Sequence, residues 1–272
     1  MKFKLLFLLF NVTLLLFLGV IVLLPILILG SSFSVSFWHA NRLIIAVWII
    51  LLIAFNVYYF TNRRLFILLE KEDWPALVHY LEEKVIQKGR YSPRLVKLLA
   101  NSYLVLSDSA AVMSLENKTA IAKPSLVDAN VLVFGTARIL GGDISGAVRF
   151  FETRREKAKP ELKTWVNWYW GFASLLNSQF EEAAGEFSIL ARFSDDGVIT
   201  ALSSFFLSQI LSKFLQGKEA DFLEISSLGK ERVLKALPKA ENWQKEVSRL
   251  STEIHAAAIA KYLEETAKWL YL

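Results

Sequence analysis

The chain has 272 residues, 31 basic and 26 acidic side chains for a formal net charge of +5, and no cysteine. The missing thiols exclude a disulfide framework, a thiolate zinc site, a catalytic cysteine and a lipidated-cysteine anchor. Charge is unevenly spread: residues 1–61 hold Lys2, Lys4 and Arg42 with no acid, and the remainder holds 28 basic and 26 acidic groups. That balance lacks the clustered basic face a nucleic-acid partner requires, so none is expected.

Residues 5–29 form an apolar run broken only by Asn11, Thr13, Gly19 and Pro25, and residues 43–60 a second with Asn56 its only strongly polar member. A bilayer core about 30 Å thick takes about 20 helical residues to cross, and only a helix satisfies the backbone there. Two spans, about 5–29 and 43–61, are therefore predicted, with the lipid bilayer the partner of residues 5–61. The first run far exceeds the 7–15 residues usual for a signal-peptide core, which favours a retained span over a cleaved one. Phe33, Phe37, Trp38 and His39 in the connection 30–41 suit an interfacial belt. Lys2 and Lys4 precede the first span, and Arg63, Arg64 and Lys71 follow the second. The positive-inside rule then puts both termini in the cytoplasm, in a multi-pass protein of the inner membrane. Asn11 and Thr13 can bond across to Asn56 for about 0.6–2 kcal/mol, or stand as tolerated polar residues near a helix end.

The second span continues without a breaker to Glu70, so a continuous helix is expected to leave the membrane. Beyond it, Ser92-Pro93 and Lys159-Pro160 open helices with proline at the first helical position. Ser125-Leu126-Val127-Asp128 has capping-box spacing, and Gly141-Gly142-Asp143 and Asp195-Asp196-Gly197 are turns. No strand alternation occurs, so the fold class is all-α. Residues then recur at a separation of thirty-six: Phe134-Gly135 with Trp170-Gly171, Ile144 with Phe180, Ala147 with Ala183, and Phe151 with Phe187. The small residues let paired helices approach closely, and each later Phe fills the seam. A generic helical bundle is the plainer alternative.

This pattern resembles the tetratricopeptide repeat (TPR) over 131–160 and 167–195. A weaker copy carries Leu99-Ala100 and Tyr103, an orphan second helix lies at Asp73-Trp74 with Leu77 and Leu81, and a degenerate copy covers 198–225. Asn167 and Ser174 depart from the pattern. The resemblance implies a helical solenoid over 62–238 whose first helices line a concave, protein-binding or tail-docking groove. It assigns to that groove Leu132, Thr136, Ile139 and Leu140 in one copy and Trp165, Trp168, Phe172, Leu175 and Leu176 in the next. Arg94, Lys97 and Asn101 give the earlier copy a polar stretch. Residues 239–272 read as one long amphipathic helix, with Trp243, Val247, Leu250, Ile254 and Ala257, then Leu263, Ala267 and Leu270, on its apolar side. Capping or self-docking is favoured over an open partner surface, with a coiled-coil homo-oligomer third.

Chemistry is sparse. His39, His79 and His255 form no HExxH or (i, i+4) pair and read as an interfacial tip and two half-exposed helix residues. The run Gly141 to Gly146 lacks the strand a dinucleotide loop needs, and Ser227-Leu228-Gly229-Lys230 lacks the upstream glycine of a P-loop. The pairs Glu181-Glu182 and Glu264-Glu265 read as solvated faces, and the sequon Asn117-Lys118-Thr119 would go unused in the cytoplasm. No catalytic, metal or cofactor residue is assigned. The layout of two spans before repeats is similar to that of HemY-type membrane proteins, in arrangement alone. The expectation is a non-catalytic scaffold at the cytoplasmic face of a bacterial-type inner membrane, mediating protein–protein interactions with an unidentified partner. The alternatives are an assembly subunit of a secretion or flagellar machine, and last an enzyme.

Overall fold

The structure is a computed structural model that describes residues 2–251 and 253–272. It divides into two units, Met1–Tyr80 and Leu81–Leu272, and no strand occurs among the described residues.

In the first unit α1 (Lys2–Leu29) and α3 (Arg42–Glu70) pack together, with α2 (Ser31–Ala40) between them in sequence. Phe3–Leu29 and Arg42–Glu70 are long and apolar enough to cross a membrane, eighteen-residue stretches within them having mean hydropathies of 3.1 and 2.5. No residue of α3 is buried, and at 1.5 Å per residue its 29 residues extend about 43 Å. The helix runs unbroken to Glu70 as expected. The polar residues of the apolar runs divide: Asn56 Nδ2 donates to Asn11 Oδ1 at 2.8 Å, whereas Thr13 bonds the Leu9 carbonyl of its own helix. Around the asparagines Phe7 stacks on Tyr59 with ring centres 3.7 Å apart, and Phe10 meets Phe55 at 4.2 Å. The connection 30–41 is mostly helical rather than a loop. Gly30, at φ +85°, makes the break from α1, and nothing in 31–40 opposes a helix. The short α4 (Trp74–Glu82) follows α3.

The second unit runs α5 (Pro93–Val105), α6 (Ser109–Ala122), α7 (Ser125–Ala129), α8 (Val131–Leu140), α9 (Ile144–Glu152), α10 (Pro160–Leu176), α11 (Phe180–Phe193), α12 (Gly197–Phe205) and α13 (Glu219–Ala236), then α14 (Ala240–Leu250) and α15 (Ala260–Tyr271). The helices pair as α5 with α6, α8 with α9, α10 with α11 and α12 with α13, and each second helix also packs on the next first helix. Short turns join the first three of these pairs, which makes them antiparallel, whereas a π segment and a 3-10 turn over Phe206–Lys213 lie between α12 and α13.

One local turn recurs. Glu72, Ser107, Gly142 and Ser178 all take positive φ, at 54°, 59°, 80° and 61°. At each, the following N–H bonds a carbonyl five residues back: Asp73 to Leu68, Asp108 to Tyr103, Asp143 to Arg138, Gln179 to Ser174. This closes the first helix with a left-handed residue. The three aspartates then cap the second helix through the N–H three residues on, at Ala76, Ala111 and Gly146. Ser92 caps α5 in the same way, behind Pro93. Ser125 does not cap: it is the first residue of α7, Pro124 takes the preceding position, and no side chain bonds there.

Close approach explains the glycines of the repeat. A Cβ on Gly135 would lie 2.1 Å from the Phe151 ring, and one on Gly171 3.1 Å from Phe187. In the last pair Gly229 meets Ser204, where a Cβ would fall 2.1 Å from its Oγ. Trp168, Tyr169, Phe151, Phe187 and Phe206 are fully buried and form the core. Asn167, out of pattern, accepts from Arg155, whose guanidinium also pairs with buried Glu186 and lies over Trp170. A similar group joins buried Glu116 to Arg138 and Arg154. Arg232 donates to the carbonyls of Ala191, Arg192 and Ser194 at the end of α11, where a helix leaves carbonyls without intrahelical partners.

The single C-terminal helix expected over 239–272 is not formed. After α14 the chain passes through a 3-10 segment (Ile254–Ile259) before α15. His255, Ala256 and Ile259 are buried there in place of Ile254 and Ala257. A tertiary contact accompanies this course: Tyr169 Oη donates to the His255 carbonyl at 2.8 Å, within the 3-10 segment.

Candidate functional site

The C-terminal residues lie against the helices α8, α10 and α12 to which the expected groove was assigned. The 3-10 segment lies on α8, and α15 lies on α12. His255 meets the Trp165 ring at 5.3 Å, Tyr262 meets Phe172 at 5.6 Å and Phe206 at 4.9 Å, and Trp269 meets Phe205 at 6.2 Å. Polar contacts fix the margins: Lys97 of α5 pairs with Glu253, Lys230 donates to the Trp269 carbonyl, and Tyr271 Oη donates to the Leu237 carbonyl.

The nine groove positions separate into three groups. Trp165 and Phe172 touch the tail. Thr136 and Trp168 are wholly buried, and Leu132 and Leu175 nearly so. Thr136 bonds the Leu132 carbonyl of its own helix, and Trp168 stacks among Phe172, Phe187 and Phe206, inside the helix layers. Ile139 is half-buried, while Leu140 and Leu176 are exposed by 51% and 40%. These last two end α8 and α10, next to the turns. Tyr169, Tyr262, Glu253 and His255 complete the contact but were not legible as groove residues, since each partner lies far off in sequence.

A cavity of about 250 Å³ remains beside the tail, lined by Lys97, Asn130, Leu132, Leu162, Trp165 and His255 among others. Burial pushes the His255 imidazole down to about 4, against a smaller opposing pull from Glu253, so it is neutral near pH 7. Burial also raises the Tyr169 phenol well above its usual range. With the Tyr169 proton committed to the His255 carbonyl, the 3.0 Å contact to Nδ1 is satisfied when Nδ1 carries the imidazole proton. That leaves Nε2 as the ring's only acceptor. Among the described residues no group of three or more His, Cys, Asp or Glu is placed to hold a metal ion.

A family model described as "Uncharacterised Treponema protein" matches residues 111–272, from within α6 through the docked tail. A protein of Treponema pallidum (strain Nichols), described as "Uncharacterized protein", is 28% identical over 243 residues, covering 86% of this chain and 77% of the relative. That share exceeds what residues 62–272 can supply, so the likeness reaches into the apolar hairpin. No solved structure matches the chain.

Proposed function

The chain belongs to the family described as uncharacterised Treponema protein, whose match spans more than half of it, and on that premise we propose a non-catalytic, membrane-anchored scaffold. In this reading α1 and α3 cross a bacterial-type inner membrane with both termini in the cytoplasm. The helical unit is a TPR-like array that brings other proteins to the bilayer.

One observation carries the membrane reading: α3 holds an eighteen-residue stretch of mean hydropathy 2.5 with none of it buried, an apolar area that water would not tolerate but lipid would. Arg63 and Arg64 directly after its apolar run favour the cytoplasmic side. The recurrent turn and the glycine–phenylalanine seams support the TPR-like reading. Because the chain's own tail covers the first-helix face, partners are assigned to the turn edge. There Leu106 directly follows α5, Leu140 and Leu176 end α8 and α10, and the three stay exposed by 42%, 51% and 40%. Asn56 bonds Asn11 across the pair, and both amides also donate to carbonyls of their own helices, which favours a self-contained tether over helices that contact a larger machine.

Alkaline extraction of membranes holding the full chain tests the anchor: the protein should stay with the lipid, and its release would refute the reading. Proximity crosslinking in cells tests the edge. Leu140→Glu with Leu176→Glu should remove the crosslinked partners while leaving helicity and membrane retention unchanged. Exchanging α1–α3 for an unrelated apolar hairpin should preserve them. Loss of partners on that exchange would instead favour the machine subunit.

A further inference from the structure

Within the first unit, where α1 begins and α3 passes beyond its apolar run, a cavity of about 430 Å³ opens between the two helices. Lys4 contributes from α1, and Tyr59, Arg63, Phe66 and Glu70 come from one face of α3, with Lys71 next to its end. Two properties coincide there. One wall is aromatic: Phe3 stacks on Phe66 at 5.4 Å, and Tyr59 lies 5.9 Å from Phe66. The other is cationic: Lys4, Arg63 and Lys71 outnumber Glu70, which has a partner of its own. Among the described residues none of the three cations is in an ion pair with an acid.

Their height along the helices is also set. Lys4 is the last charge before the first apolar run, and Arg63 the first after the second. Aromatic rings beside cations at the end of a membrane-length helix pair lie where lipid phosphates lie. We infer that this cavity binds the phosphate headgroup of one anionic phospholipid, with Arg63 and the two lysines on the phosphate oxygens and the aromatic wall against the glycerol and upper acyl chains. The inference rests on the membrane reading above.

The test uses the full chain in mild detergent with equimolar phosphatidylglycerol and phosphatidylcholine of matched chains, and native mass spectrometry to count retained lipid. One phosphatidylglycerol should be kept in preference. At about fivefold per cation, the Lys4→Gln, Arg63→Gln, Lys71→Gln triple variant should lose on the order of a hundredfold of that preference. Arg42→Gln, at the other end of α3, should keep it. Equal retention of the two lipids, or preference surviving in the triple variant, overturns the site. Binding of inorganic phosphate that depends on the three cations, without lipid retention, assigns the pocket to the free anion and overturns the lipid. Alkaline extraction separates the two readings: a chain that leaves the membrane refutes both, and one that stays but shows no preference refutes this site alone.

Discussion

Three helical glycines undergo one chemical change in three different spaces, and that makes glycine-to-alanine the sharpest probe of the helix pairs. Alanine improves helix propensity by about 1 kcal/mol at each. At Gly185 in α11 a new Cβ meets nothing within 4 Å, so Gly185→Ala should stabilise by about 0.5–1 kcal/mol. At Gly171 the nearest atom is a Phe187 ring carbon at 3.1 Å. A shift of a few tenths of an ångström relieves that contact, so gain and loss nearly cancel. At Gly135 the Phe151 ring stands 2.1, 2.5 and 2.6 Å away through three of its atoms. That ring is fully buried and must retreat by more than about 1 Å into packed neighbours. Overpacking of that kind costs about 1–3 kcal/mol or more, so Gly135→Ala should lose about 1–2 kcal/mol net.

Thermal unfolding of the full chain in detergent reads the series. At about 2–4 °C per kcal/mol for a unit of this size, Gly185→Ala should melt highest, Gly171→Ala near the parent, and Gly135→Ala several degrees lower. Phe151→Leu, itself destabilising, should cost less in the Gly135→Ala background than alone, because the smaller side chain relieves the clash. If Gly135→Ala melts with Gly185→Ala, the helices of that pair are not seamed through this glycine, and the repeat geometry is wrong.

Three further outcomes are expected. The folded His255 pKa, near 4, lies below its unfolded value of 6.5, so the unfolded chain binds more protons between them. The neutral buried ring therefore contributes about 3 kcal/mol above pH 6.5 that is lost as pH falls toward 4, and His255→Phe should flatten that part of a stability–pH profile. Arg155→Met strands the Glu186 carboxylate, whose pKa burial already raises despite the arginine. Urea unfolding should register a loss of about 3–5 kcal/mol, with Glu186→Leu restoring most of it. In a double-mutant cycle read by unfolding in bilayers, Asn11→Ala and Asn56→Ala should couple by about 0.6–2 kcal/mol; zero coupling would mean the asparagines do not bond in lipid.

What could be read from the residues was whatever depended on local pattern. The apolar runs, the unbroken extension of α3 and the Gly135–Phe151 and Gly171–Phe187 seams follow from length and period alone. Recurrence of the turn was half visible. Lys71-Glu72-Asp73 and Gly141-Gly142-Asp143 share only the aspartate, and what repeats is a left-handed backbone that serine and glutamate also adopt. Trp168 was misplaced because groove positions were carried over from a resemblance. On α10 the ring contacts run through Trp165, Tyr169 and Phe172, a stripe at helical spacing, and Trp168 stands to one side of it against Phe187. The C-terminal break left no trace at all. The apolar spacing of 243–257 is continuous, and the hydroxyl that bonds the 3-10 segment lies 86 residues away.

That break also bears on where a scaffold of this build would meet its partners. A removable occupant would be held by rim contacts, and the tail has some, such as the half-exposed Lys97–Glu253 pair, worth at most about 1 kcal/mol. Its central residues behave differently. Ile259, Leu263, Thr266 and Leu270 are buried as deeply as the array's own core, and Tyr262 wedges between Phe172 and Phe206. Each large apolar side chain withdrawn from such a place forfeits about 1.5–3 kcal/mol. Releasing three of them would consume much of the 5–15 kcal/mol that a domain holds in total. A ligand competing for the first-helix face must therefore overcome a cost comparable to unfolding, while one binding the exposed leucines of the turn edge faces none. The tail is thus better understood as the last layer of the core than as a stand-in for a partner, and on the scaffold reading recognition belongs to the edge.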